Sequence, residues 1–308
     1  MATQKQNSNA IVVSLYGGLG NQLFQYAMGR ALSLRNGLPL VLDLAWFDQV
    51  KEGDASVTTI REYALTPFEL AVQTQKTQAP SPISPSLMQR ILRRILRHAP
   101  TKNEGLSIYR EKGFNFDRMA FEYQGPVWLQ GYWQSYRYFD DAAEILRHEL
   151  GQARNVSVAT QDMLDRISHS DAICLHIRRG DYVTNKNAAA THGLCSLDYY
   201  TKGVEILSSD LNNPHCFVFS DDPDWARTNL NLATPITIVD INGPDAAHED
   251  LWLMAACKRF VIANSSLSWW GAWLSVREGK RVVAPLDWFA DKGGRDTRDL
   301  LPEDWIRV

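Results

Sequence analysis

Two adjacent arginines close an apolar run, where Ala172-Ile173-Cys174-Leu175 leads into His176-Ile177-Arg178-Arg179-Gly180-Asp181. A guanidinium donates two parallel charge-assisted hydrogen bonds from a fixed plane, so the cluster predicts a ligand that carries phosphate. Side chains alternate faces along a strand, which puts His176 and Arg178 on one side and Arg179 on the other. Arg178 is therefore the expected phosphate ligand, with Asp181 as an expected buttress. A purely structural Arg–Asp pair at a strand end is the competing reading. Farther along, Asn264-Ser265-Ser266 precedes the helical Leu267-Ser268-Trp269-Trp270-Gly271-Ala272-Trp273. Hydroxyls and N–H groups at a helix start form an anion site, or else an ordinary N-cap. Asp250 opens the helix before it and has the acceptor pair that matches a guanine N1–H and N2–H2 edge; as a first-turn acid it also suits the helix dipole.

A glycine loop, Gly17-Gly18-Leu19-Gly20, adds a second anion-binding candidate. Gly18 and Gly20 fill the first two positions of G-x-G-x-x-G, and Asp43 stands where an acid would hold a ribose. The third position is Leu23, which weakens the dinucleotide reading and its oxidoreductase corollary. Asp222-Pro223-Asp224 has the Asp-x-Asp form that can hold Mn²⁺ or Mg²⁺. The same residues also make a good first helical turn, and that capping reading is preferred. Tyr132, Trp133, Gln134 and His192 are candidates for holding a sugar, aromatic faces for stacking and amides for hydroxyls, with interdomain packing as the alternative. Trp269, Trp270 and Trp273 are expected to pack their helix, with one left over for a sugar or base.

These groups need a scaffold that brings them together. Ile11 to Leu15 reads as a buried strand, Asn21 to Asn36 as a helix capped by Asn21 and stopped at Gly37, and Pro39 to Asp43 as the next strand. Residues 45 to 125 show no regular period, and Thr77 to Ser86 is a Pro- and Ser-rich loop or linker. A strand follows at Val127 to Gln130, then a helix from about Asp140 to Leu150. From Asp171 onward the pattern is regular. Strands near 172 to 177, 216 to 220, 236 to 239, 260 to 263 and 281 to 284 alternate with helices near 197 to 208, 223 to 231, 246 to 258 and 267 to 277, which predicts a parallel doubly wound sheet. In such sheets ligands lie beyond the carboxyl ends of the strands. His176 to Asp181, Ser220 to Asp222 and Asn264 to Ser266 all fall at strand ends and are expected to face one crevice.

At 308 residues and 45% hydrophobic content the chain suits two domains, with a boundary expected near 155 to 170. A net charge of −3 gives no global pull toward nucleic acid, so local arginines must bind any anion. The four cysteines, Cys174, Cys195, Cys216 and Cys257, lack CxxC spacing and read as structural thiols. No window approaches the ~18 apolar residues of a membrane span, and Met1 to Asn9 lacks an apolar signal core, so a cytoplasmic location is expected. Arg90 to His98 sets Ile91, Leu92, Ile95 and Leu96 in a stripe among basic side chains. That stripe fits peripheral contact with an anionic inner membrane, or a surface helix packed on its own domain.

Taken together, Tyr16-Gly17-Gly18-Leu19-Gly20-Asn21-Gln22-Leu23-Phe24-Gln25-Tyr26, His176-Ile177-Arg178-Arg179-Gly180-Asp181-Tyr182-Val183, Phe219-Ser220-Asp221-Asp222 and Ile262-Ala263-Asn264-Ser265-Ser266-Leu267-Ser268-Trp269-Trp270-Gly271-Ala272 closely resemble the motifs of glycosyltransferase family 11, the α-1,2-fucosyltransferases. The His-x-Arg-Arg-x-Asp element is also similar to that of α-1,6- and protein O-fucosyltransferases. The resemblance implies a metal-independent, inverting enzyme of α/β, GT-B-like fold with two Rossmann-like domains and the donor crevice at strand carboxyl ends. It implies an acceptor-side domain over 1–165 and a GDP-fucose-binding domain over 166–308. L-Fucose would pass from GDP-β-L-fucose to the 2-hydroxyl of a terminal β-galactoside, with no cofactor besides the donor substrate. By the same resemblance Arg178 holds the diphosphate and Asn21 lies near the fucose and acceptor. Gly18, Gly20, Gln22, His176, Arg179, Asp181, Ser220, Asp250, Asn264, Ser265 and Ser266 complete the substrate contacts.

Overall fold

The computed structural model describes residues 9–51, 61–77, 101–103, 106–180, 183, 190–290 and 296–308. Asp181 and the basic stripe from Arg90 to His98 lie outside the described residues. Two units form, one of Met1–Ala143 with Arg298–Leu300, the other of Glu144–Thr297 with Leu301–Val308. The division falls well ahead of the expected 155 to 170. Its reason is packing: Trp252 Nε1 donates to Leu150 O at 2.9 Å, and Ser157 Oγ donates to Glu249 at 3.0 Å. The helices α4 (Ala143–Leu150) and α5 (Val158–Ser168) therefore go with the second unit.

In the first unit, β1 (Ile11–Ser14), α1 (Leu19–Asn36) and β2 (Leu40–Asp43) make the expected βαβ turn. The helix starts earlier than its sequence suggested. Gly18 is the N-cap, and Asn21 sits inside the first turn, because the Asn21 and Gln22 N–H groups already reach Gly18 O at 3.0 and 3.1 Å. Gly37, at φ 62°, ends it in the left-handed conformation that glycine adopts without strain. Leu23 in place of a third glycine is offset one and a half turns later: a Cβ on Gly29 would collide with Val13 and Leu40, so this glycine is what seats α1 on β1 and β2.

The sheet runs β3-β2-β1-β6-β5-β4, adding β3 (Gln73–Gln75), β4 (Thr101–Asn103), β5 (Leu106–Arg110) and β6 (Val127–Gln130). Every pairing is parallel except β4 with β5. Three of these strands lie in the stretch read as irregular. Strand β5 is buried at four of its five positions, so it lacks the alternation that marks a half-exposed strand.

The second unit's sheet is parallel throughout, in the order β12-β11-β10-β7-β8-β9. Its strands are β7 (Asp171–Ile177), β8 (Pro214–Ser220), β9 (Ile236–Val239), β10 (Arg259–Val261), β11 (Arg281–Ala284) and β12 (Ile306–Arg307). Ile173, Leu175, Cys216 and Val218 pack with Tyr200, Val204 and Leu207 of α6 (Leu197–Ser208) in one buried cluster. The connecting helices include α7 (Pro223–Asn229), α8 (Ala247–Ala256) and α9 (Ser266–Leu274), close to expectation. In both sheets the strand order reverses at one place, between β1 and β6 in the first and between β7 and β10 in the second. A crevice opens at such a point because the connections leave in opposite directions.

Candidate functional site

In the second unit, β7 ends at Ile177, and Arg178 is the first residue beyond it at the reversal point. Its Nη1 donates to Asp221 Oδ2 at 2.9 Å, both side chains about three-quarters buried. Asp221 follows β8, and its other oxygen accepts the Arg179 N–H at 2.8 Å. One carboxylate thus holds the guanidinium of Arg178 and the backbone after it. The buttress assigned to Asp181 is supplied here by Asp221, a residue brought in by the β7–β8 pairing of Ile177 with Ser220.

Arg179 turns the other way, as strand alternation requires. Its Nε donates to Asp222 at 3.2 Å and its guanidinium carbon lies 3.8 Å above the Trp225 ring. Arg179 is thereby held on α7, which corrects its assignment as a ligand contact. Asp222 also caps α7, accepting the Trp225 N–H at 3.2 Å, and Asp224 pairs with Arg227 at 2.7 Å. Both acids of the Asp-x-Asp sequence are therefore committed to the helix start, as the capping reading required. Ser220 Oγ accepts the Asp222 N–H at 3.0 Å and shapes the same turn.

His176 is 5% exposed, and its Nδ1 is buried with no hydrogen-bond partner. Burial lowers its pKa to about 4, against the pull of Asp221, so the ring is neutral near pH 7 and can meet a ligand by hydrogen bonding. Asp250, in the first turn of α8, accepts from Asn242 Nδ2 at 2.8 Å. Burial pushes its carboxyl up to about 6, so it is ionised near neutrality and poised to accept donors.

At the end of β10, Ser265 caps α9 through its backbone while its hydroxyl makes no capping bond. Ser265 and Ser266 are half-buried at the strand neighbouring Arg178. Asn264 is different: it is 4% exposed and its Nδ2 donates to His192 O at 2.7 Å and Trp288 O at 3.3 Å. It ties two loops together, which corrects its assignment as a ligand contact. His192 lines a pocket of about 260 Å³ with Asn264, Tyr199 and Asp287. Trp269, Trp270 and Trp273 are all buried, Trp269 and Trp273 stacking at 6.0 Å and Trp269 meeting Trp305 at 5.6 Å, so none is left for a sugar or base.

At the carboxyl edge of the first unit's sheet, Gly18 opens α1, with the Arg61 guanidinium carbon 3.9 Å from where a Cβ would stand. Gly20 is buried within the helix. Gln22 is fully buried: Nε2 donates to Gly17 O at 2.9 Å and Glu62 O at 2.8 Å, and Oε1 accepts the Ala64 N–H at 2.9 Å. That clamp shapes the glycine loop, so the expectation of a Gln22 substrate contact is corrected to a structural one. Asn21 Oδ1 accepts from Gln134 Nε2 at 2.9 Å, joining the two carboxamides across the β1/β6 reversal. Tyr132 is 40% exposed and packs edge-on to Tyr16 at 5.0 Å, whereas Trp133 is wholly buried and unavailable for stacking. Glu111, absent from the sequence-based candidates, accepts the N–H groups of Tyr132 and Trp133 at 2.6 and 2.9 Å. Arg61, Glu111 and Asp221 carried no recognised signal of their own, because only long-range strand pairing and loop return bring them to these edges.

Two Rossmann-like units, each gathering polar groups at the reversal point of a parallel sheet, define a GT-B-like glycosyltransferase. The sequence matches glycosyl transferase family 11 over residues 2–308, and the chain belongs to that family. It is 32% identical over 302 residues to an alpha-1,2-colitosyltransferase of Escherichia coli, covering 97% of this chain and 98% of that one. It is likewise 32% identical over 312 residues to the O-antigen biosynthesis glycosyltransferase WbnK of Escherichia coli, covering 96% and 99%. The structure of Arabidopsis thaliana FUT1, solved with GDP, superposes with a TM-score of 0.50 at 12% identity, covering 92% of this chain and 71% of that one, and shares the fold.

Proposed function

We propose that the chain transfers L-fucose from GDP-β-L-fucose to the 2-hydroxyl of a terminal β-galactoside, with inversion to an α-1,2 linkage. The observation that carries this reading is Arg178, held by Asp221 at the β7/β10 reversal beside the α9 start. Departure of GDP places negative charge on the β-phosphate and positive charge on an oxocarbenium-like sugar. A guanidinium already fixed by a carboxylate, with helix N–H groups beside it, meets the departing charge without reorganising at the moment of reaction. His176, neutral and buried one alternation earlier, is placed to bond the donor, and the Asp250 carboxylate suits a guanine edge. The second domain is thereby read as the donor domain and the first, with Tyr132, Gln134 and Asn21, as the acceptor domain.

A second reading has a specific support: the 32% identical relative named as an alpha-1,2-colitosyltransferase. Colitose is L-fucose without the 3-hydroxyl, so the two donors differ by one hydrogen-bonding group. Incubating the protein with GDP-L-fucose or GDP-colitose over a panel of β-galactosides, with the linkage read by NMR, tests both. An α-1,2-fucosyl product at the higher kcat/KM is expected. A preference for GDP-colitose would replace the donor, and a product without a new bond at O2 of galactose would refute the linkage. Transfer is expected to persist in EDTA; loss restored by Mn²⁺ would refute the proposed role of Arg178 as the group that meets the leaving charge.

A further inference from the structure

Inversion by direct displacement needs the acceptor hydroxyl to lose a proton as it attacks, and the donor-side residues supply no group for it. Among the described carboxylates set at strand ends, most are committed. Asp221 and Asp222 hold Arg178 and Arg179. Asp43, at the end of β2, is 4% exposed and accepts the Thr77 N–H at 2.9 Å. Asp250 lies in the donor domain and is paired with Asn242. Glu111 remains.

Glu111 is the first residue beyond β5, and its N–H continues the ladder to Gln130 O at 2.8 Å. The chain beyond Gln130 then wraps its carboxylate. Gly131 has no Cβ where the Glu111 side chain passes, and Trp133 takes the left-handed conformation, φ 57°. Successive N–H groups of Tyr132 and Trp133 consequently converge on the carboxylate, one to each oxygen. Each oxygen keeps a further lone pair, so the clasp orients the group without exhausting it. The groups facing it are phenols: Tyr16 after β1, and Tyr132 and Tyr138 after β6, each raised by burial and hence neutral near pH 7. Burial lifts the Glu111 carboxyl to about 7, with the two N–H bonds pulling the other way. A carboxylate of that basicity, half-buried beside the exposed Tyr132 ring, is matched to taking a proton near neutral pH.

We propose that the Glu111 carboxylate is the general base that takes the proton from the acceptor's 2-hydroxyl. The inference rests on the transferase reading above. As the galactose O2–C1 bond forms, the bond from C1 to the β-phosphate oxygen breaks and its electron pair leaves with GDP. The O2 proton passes to Glu111, which later releases it to solvent.

The test is steady-state transfer from GDP-fucose to a β-galactoside across the range from about pH 5.5 to about 8.5, with GDP affinity measured by calorimetry. Wild-type kcat is expected to rise with pH through a midpoint near 7. Glu111→Gln is expected to lower kcat by ~100-fold or more and to abolish that limb, with GDP affinity unchanged. Glu111→Asp keeps a carboxylate and is expected to retain the limb at reduced kcat. If Glu111→Gln keeps kcat within about threefold, or loses activity only through acceptor KM with the limb intact, Glu111 merely holds its turn and the proposal fails. Should the Gln variant not fold, a Glu111→Asp enzyme with no pH limb would overturn it equally. A wild type that transfers nothing to any β-galactoside refutes the transferase reading and this inference with it; wild-type transfer with an undiminished Gln variant refutes this inference alone.

Discussion

Replacing Asp221 with Asn keeps the shape of the buttress and removes its charge. The carboxamide Oδ1 can still accept the Arg179 N–H, now at 2.8 Å, but an NH2 group would face Arg178 Nη1 across the present 2.9 Å. With charge centres ~4 Å apart and an effective dielectric near 20, the attraction lost is ~4 kcal/mol before the regained hydration is subtracted. Hydrogen bonds to charged groups net ~1.5–3 kcal/mol. Only part of this is felt as unfolding free energy, because Arg178 can relax toward solvent in the variant; a loss of ~1 kcal/mol is expected in urea titrations. The effect on GDP should be larger, since a wandering guanidinium must be ordered at the ligand's expense. We expect Kd for GDP to rise by ~10-fold, or ~1.4 kcal/mol. Arg178→Lys should cost at least as much, and turnover ~100-fold or more, because a lysine cannot give one nitrogen to Asp221 and offer a second in a fixed plane to phosphate. Calorimetric titration of GDP into wild type, both single variants and the double variant closes the cycle. The double variant should lose much less than the sum, because each change removes the same arrangement. Additive losses would refute the buttress. So would tighter GDP binding in Asp221→Asn, which would mean that the carboxylate competes with the ligand's phosphate.

Gly180→Ala should weaken GDP binding by ~10-fold, because an added Cβ would stand 3.1 Å from Asp221 Cγ and displace that carboxylate; Gly113→Ala, where no atom lies within 4 Å, is the control that calorimetry should find unchanged. Asp250→Asn should reduce the preference for GDP over ADP, and in the wild type GDP affinity should fall as pH drops through about 6, where the carboxylate gains its proton; a preference untouched by the change would remove Asp250 from the base site. Asp43 offers a stability test with a defined sign. Its folded-state pKa of about 6 exceeds the ordinary 3.8, so the protonated folded form is favoured, fully below about pH 3.8 and not at all once pH has risen past 6. Between about pH 4 and about pH 7 the wild type should lose up to ~3 kcal/mol relative to Asp43→Asn in urea unfolding, and parallel pH curves would refute the assignment.

What could be read from the sequence divides between the two units for a physical reason. In the second unit each parallel strand is a short apolar run followed by an amphipathic helix, so β7 to β11 and their crossovers emerge from local pattern alone. Arg178 was legible because its chemistry and its strand-end position lie in six consecutive residues, and alternation alone separated it from Arg179. In the first unit, β5 is an almost wholly buried strand of five residues, shorter than a periodicity signal needs. Losing β5 meant losing Glu111, whose meaning depends on being one residue past a strand that pairs with β6.

The misassigned residues show the complementary limit. Gln22, Asn264 and Arg179 sit inside the motifs that point to the site, and each holds a loop or helix that shapes it, through bonds to Glu62, His192 and Trp288, or Asp222. A motif marks where backbone geometry is demanding, and a residue that meets the demand by bonding the backbone is as constrained as one that meets the ligand. Asp221 does both kinds of work at once, fixing the Arg179 N–H and the Arg178 guanidinium with one carboxylate. The separation between positioning and binding therefore runs through individual carboxylates, and only the partner of each oxygen reveals on which side it falls.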